Sequence, residues 1–146
     1  MRFKKELLAA VLLTSCINVS NVSAEDVRLC YRNQFAATFW VKDQNDNDNI
    51  VNGLNDGLLG MEKCANVKPG HTYKFEYYGL GTEGGGIVEK TACHMQVPDP
   101  KTHKGYHKTY VYLKPDPQFI LDAMCEIWDE RDWGATKRNG TVLPPE

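Results

Sequence analysis

Apolar and polar residues alternate along several stretches of the chain. A half-buried strand produces that pattern, because successive side chains leave it on opposite faces. Between residues 72 and 79, Tyr73, Phe75 and Tyr77 share one face, and Thr72, Lys74, Glu76 and Tyr78 share the other. A second run over 86–93 carries Ile87, Val88 and Thr91. The intervening Leu80-Gly81-Thr82-Glu83-Gly84-Gly85 can reverse the chain because glycine accepts positive φ. These two runs predict a central hairpin with one packed face and one wet face, entered through a turn at Lys68-Pro69-Gly70.

Two further runs before it, 27–31 and 35–42, read as strands broken near Arg32-Asn33-Gln34. In the second, Phe35, Ala37, Phe39 and Val41 alternate with Ala36, Thr38 and Trp40, so both faces are expected to be covered. Ile50, Leu54 and Leu58 recur every four residues and predict a short helix that Gly53 and Gly57 weaken. The run 106–113 sets Tyr106, Lys108, Tyr110 and Tyr112 against His107, Thr109, Val111 and Leu113. A tyrosine ladder of this kind is either a binding platform or ordinary cross-strand packing.

At Asp116-Pro117 the pattern changes. A side-chain acceptor at the N-cap with proline at the first helical position predicts a helix to about residue 129. Phe119, Ile120, Ala123, Met124, Ile127 and Trp128 would cover most of its circumference, so the tail from Trp133 onward, or a partner, must bury it. Glu126, Asp129 and Glu130 then gather at its C-terminus, where the helix dipole disfavours anions. This clash marks Glu126, Trp128, Asp129 and Glu130 as candidate partner-binding residues together with Tyr106, Tyr110 and Tyr112. The competing reading is a solvated acidic end answered by Arg131. The expected fold is mainly β within the α+β class: a small antiparallel sheet or sandwich of five to six strands with one buried C-terminal helix.

With 146 residues the chain has room for one domain. Arg2, Lys4 and Lys5 precede a short apolar run, and Val22-Ser23-Ala24 fits a signal-peptidase site. Residues 1–24 are therefore read as a signal peptide, 25–132 as a disulfide-stabilised domain and 133–146 as a tail. Leu13-Thr14-Ser15-Cys16 offers the alternative of a lipoprotein signal, with Cys16 lipidated and anchored at the outer membrane. The expected location is periplasmic or secreted, or a membrane-anchored lipoprotein. Of five cysteines, Cys30, Cys64, Cys93 and Cys125 then remain for two disulfides, with Cys64–Cys93 and Cys30–Cys125 the favoured pairing of three. Removing residues 1–24 leaves 17 − 3 = 14 bases against 19 − 1 = 18 acids, a net charge near −4. No basic stripe is visible, so nucleic acid is not an expected partner, and no apolar run suits a transmembrane helix.

The residue inventory restricts chemistry further. From Glu25 onward there is no serine, which removes serine nucleophiles, and oxidised cysteines would remove thiolates. Asp43, Asn45 and Asn47 follow the spacing of a calcium loop, but Asp48 replaces the turn glycine and Leu54 the bidentate carboxylate. The G-x-G-x-x-G from Gly79 to Gly84 lacks the helix that a dinucleotide site requires. His94, His103 and His107 form a weak candidate metal set, and Glu76 and Glu89 a weak candidate carboxylate pair. No cofactor is expected. The preferred function is a non-enzymatic exported protein that binds a protein partner, as an inhibitor, immunity factor or assembly accessory. The alternatives are a carbohydrate- or calcium-dependent binding module and a small metal- or carboxylate-dependent hydrolase.

Overall fold

A computed structural model describes residues 26–81, 85–119 and 121–140; the expected signal peptide, with Cys16, and the end of the expected tail lie outside them. Among the described residues nine strands run in chain order: β1 (Val27–Asn33), β2 (Phe39–Asp43), β3 (Asn49–Ile50), β4 (Glu62–Val67), β5 (Thr72–Leu80), β6 (Ile87–Gln96), β7 (Tyr106–Pro115), β8 (Ala123–Arg131) and β9 (Gly134–Lys137). They form a five-stranded sheet in the order β4-β1-β7-β8-β9 and a four-stranded sheet in the order β3-β2-β5-β6. Every pairing is antiparallel except β1 with β7, which is parallel. Leu29, Tyr31, Val111, Leu113 and Ile127 of the first sheet and Phe39, Val41, Tyr73, Phe75 and Tyr77 of the second belong to one buried cluster. The two sheets therefore share a core, as in a β-sandwich.

The central hairpin follows the alternation read from the sequence, with Tyr73, Phe75 and Tyr77 facing the core. A bulge between Phe75 and Glu76 shifts its register. The core is unusual in its tyrosines, and each buried hydroxyl has a partner, as it must away from water. Tyr31 donates to the Leu54 carbonyl at 2.9 Å, and Tyr73 accepts from the Lys68 amide at 2.9 Å. Tyr77 accepts from the Ala123 amide at 2.8 Å, which ties the second sheet to the start of β8. Burial pushes the hydroxyl pKa values of Tyr31, Tyr73 and Tyr106 well above the ordinary tyrosine value.

The region expected to be a C-terminal helix is a strand, and no described residue is helical. Asp116 does act as a cap: its Oδ1 accepts from the Gln118 and Phe119 amides at 2.8 and 3.3 Å. The turn closes at once, however, because the Asp116 amide donates to the Asp122 carbonyl at 2.8 Å. Beyond it, Ala123, Cys125, Ile127 and Asp129 alternate with Met124, Glu126, Trp128 and Glu130, and the period-two pattern prevails over the capping signal. An all-round apolar helix would have needed a cover, whereas a strand uses both faces at once. The tail supplies a ninth strand beside β8 instead of a lid over a helix. The short helix expected near Ile50 is also absent, and Leu54 plugs the core while Ile50 and Leu58 stay exposed.

The disulfides are Cys30–Cys64 and Cys93–Cys125, which corrects both favoured pairs. Cys30 and Cys64 stand directly opposite on β1 and β4, with Cα atoms 4.1 Å apart, so the bond staples neighbouring strands. Cys93–Cys125 instead joins β6 of one sheet to β8 of the other. The expected pairs presupposed a helix carrying Cys125; once that segment is a strand beside β7, its sulfur meets β6. Two disulfides point to an oxidising compartment outside the cytoplasm. Among the described residues no helix is long and apolar enough to cross a membrane.

Candidate functional site

The outer face of the five-stranded sheet gathers most of the residues singled out as partner-binding. Tyr110 and Tyr112 leave β7 on this side with ring centroids 4.9 Å apart. The β7–β8 register sets Trp128 opposite Tyr110 and Glu126 opposite Tyr112. All three rings are half-buried, so each has its body packed and its edge in water. Lys108 and Lys114 lie over the Tyr110 and Tyr112 rings at 5.4 and 5.5 Å. Beneath the row, the Cys30–Cys64 bond lies beside Tyr110, whose register partner on β1 is Cys30.

Two ion pairs lie on this face among the described residues. Lys114 binds Glu126, and Trp128 donates its indole N–H to Glu126 Oε1 at 2.9 Å. Lys114 first, and Trp128 next, hold the Glu126 carboxyl below its ordinary range. Lys108 lies 3.7 Å from Glu130. Burial, and then the Glu62 carboxylate, push the Tyr110 hydroxyl up. In strand register the face carries Arg28, Arg32, Lys108, Lys114 and Lys137 against Glu62, Glu126 and Glu130. It is therefore mildly positive, contrary to the acidic surface expected from the sequence.

Tyr106 and Asp129, two of the expected partner residues, are not on this face. A bulge between Tyr106 and Lys108 turns Tyr106 into the core, where 4% of it is exposed. Its hydroxyl and Thr109 Oγ1 are 2.6 Å apart, and Thr109 donates to Asp129 Oδ1 at 2.6 Å. Arg138 completes the chain, reaching Asp129 through Nε at 2.9 Å and NH2 at 2.7 Å. Its NH1 also donates to the Gln96 carbonyl at 2.9 Å, so one tail residue grips both sheets. Asp129 faces inward because the strand alternates. On a helix it would have joined Glu126 and Glu130.

The remaining candidates are dispersed. His94 bonds Gln44, His103 bonds Thr102, and His107 sits exposed on the β7 bulge. Among the described residues one trio of potential metal donors converges, Cys30, Glu62 and Cys64, and its two sulfurs are already joined to each other. In the calcium-like loop, Asp43 accepts from His71 Nδ1 at 2.9 Å and from the Asn45 amide at 2.9 Å. Asn45 Oδ1 accepts from the Thr72 amide at 2.7 Å. Those oxygens hold the loop against β5. Gly79 lies within β5, and the next element is the strand β6.

Sequence reasoning passed over a second surface, on the outer face of the four-stranded sheet. Trp40 and Tyr78 stand 4.9 Å apart there, beside Lys42, Glu76 and Glu89. Alternation put Tyr78 on the wet face of its strand, but the strand carrying Trp40 was expected to be covered on both faces, and nothing local could say that β2 and β5 are neighbours. Glu76 is buried between Lys42 at 3.3 Å and Lys74 at 2.9 Å. Burial pulls its carboxyl up, but Glu89, Lys74 and Lys42 outweigh burial and hold it below the usual range. Glu76 therefore stays ionised at neutral pH, which makes it a poor general acid. Comparison of the chain with family models, curated proteins and solved structures returns no match.

Proposed function

We propose that this chain is an exported, non-enzymatic binding protein that engages a protein partner through the outer face of its five-stranded sheet. The observation that carries the reading is the row Tyr110, Tyr112 and Trp128, held half-exposed on two adjacent strands by packing and charged neighbours. Interfaces favour such rings because they offer large contact area with few torsions to freeze. Arginines at the rim, Arg28 and Arg32, are the second residue type that interfaces enrich. The excess of cations fits a partner with an acidic or neutral docking surface, and electrostatic attraction would raise the rate of encounter. Roles as an inhibitor, immunity factor or assembly accessory all use a rigid surface of this kind.

The test is capture from a cell-envelope extract with wild type and with Y110A/Y112A/W128A as baits. Tyr78→Ala on the opposite sheet serves as the control. The reading expects a saturable partner retained by wild type and the control and lost by the triple variant. Equal retention by all three baits sinks it.

A further inference from the structure

We propose that the groove on the outer face of the four-stranded sheet is a saccharide-binding site, separate from the protein-binding face and independent of it. The groove is an open depression of about 380 Å³ between Trp40, Tyr78 and the loop that follows β3. That volume falls within the range of small-molecule sites. Its floor is aromatic: Trp40 and Tyr78 lie 4.9 Å apart with planes tilted by 49°. Tyr78 leaves 60% of its surface in water, an exposure that core packing does not explain. A tilted pair of rings offers an apolar wall to the C–H face of a sugar ring.

The rim supplies the complementary polar half. Glu89 and Asp56 present carboxylate acceptors, and Lys42 and Asn55 present donors. Hydroxyls of a sugar both donate and accept, so they need that mixture. Glu89 is half-exposed, and its carboxylate is 3.5 Å from Lys42 Nζ. Lys42 is fixed in turn by Glu76, whose side chain is 2% exposed and also binds Lys74. The buried carboxylate thus holds the ammonium at the groove before any ligand arrives, and this preorganisation spares the ordering cost of a loose lysine. A simple cationic ligand fits less well, because Lys42 already occupies the acidic side of the rings.

The experiment probes purified mature protein against a printed array of mono- to hexasaccharides of glucose, galactose, mannose and N-acetylglucosamine. Calorimetry with the best-bound glycan follows. Tyr78→Ala and Trp40→Ala are each expected to weaken that glycan by about tenfold, equivalent to about 1.4 kcal/mol. Glu89→Gln keeps the shape and is expected to weaken it several-fold. Y110A/W128A is expected to leave glycan affinity unchanged while losing the protein partner, which separates this site from the other face. Because Trp40 also packs on the sheet, each variant is checked for an unchanged melting temperature, and Tyr78→Ala decides if Trp40→Ala unfolds. Three results would overturn the proposal: no glycan on the array binds, binding is indifferent to Tyr78→Ala and Glu89→Gln, or choline binds in place of the sugars.

Discussion

The bond between Arg138 and Asp129 gives the sharpest test of how this sandwich is held at its open end. The Arg138 side chain is fully buried and that of Asp129 is 8% exposed, so the buried carboxylate depends on its bonds for compensation. Changing Arg138 to Met removes the two charge-assisted bonds to Asp129 and the bond from NH1 to Gln96. It leaves a carboxylate in the interior with Thr109 as its remaining donor. Breaking a buried pair from one side costs about 3–5 kcal/mol, against roughly 0–1 kcal/mol for an exposed pair. In a domain of this size the buried case corresponds to a fall in melting temperature of roughly 10–25 °C. Asp129→Leu should cost a similar amount, since it takes both charge-assisted bonds from a buried guanidinium.

The double variant should lose far less than the sum of the two, because neither charge is then left buried alone. Equilibrium unfolding in urea, with disulfides intact and tryptophan fluorescence as the signal, measures all four corners of the cycle. A single Arg138→Met cost below about 1 kcal/mol, or additive losses, would mean that water reaches the pair and that the tail is not a structural fastener.

Three other expectations can be checked with the same signal. Gly57→Ala would place a methyl carbon 2.1 Å from the Tyr31 hydroxyl, so it should cost about 1–3 kcal/mol and disturb the Tyr31–Leu54 bond. The pair C93A/C125A opens a loop of sequence separation 32, and its urea midpoint should fall by an amount equivalent to about 3–4 kcal/mol. For Glu76 the folded carboxyl is depressed, so its contribution is present above the unfolded pKa of about 4.3 and is lost as pH falls through the folded value. Melting temperature against pH should therefore drop more steeply below about pH 5 in wild type than in Glu76→Gln; parallel curves would show that Lys42 and Lys74 do not stabilise the anion.

How far the fold was legible depended on which residues set it. The face of Tyr73, Phe75 and Tyr77 was readable because a two-residue period needs only local information. The strand Tyr106–Pro115 was readable for the same reason, except at Tyr106, where one bulged residue inverts the face. The stretch 116–131 was misread because a real cap at Asp116 and a dense apolar run both look helical. The choice fell to tertiary packing: β7 waiting alongside and Cys93 across the core. Of the residues expected to bind a partner, Tyr110, Tyr112, Glu126, Trp128 and Glu130 came together, although a different element delivers the last three. Asp129 and Tyr106 went inside, where Arg138 and Thr109 satisfy them, and Arg138 carried no local signal of that duty. The Trp40–Tyr78 groove was invisible because it needs two strands to pair so that rings 78 − 40 = 38 residues apart meet.

The parallel contact between the first strand and the seventh sets a constraint on timing. Arg28 lies beside Lys108, a separation of 108 − 28 = 80 residues, so the middle of the larger sheet stays incomplete until most of the chain is available. Contacts of such long reach slow folding. A polypeptide that emerges from its N-terminus would thus have its first strand unmatched, able to bond early to the fourth strand through Cys30 and Cys64. Assembly would finish when residues 106–138 arrive and the final arginine latches the two layers together.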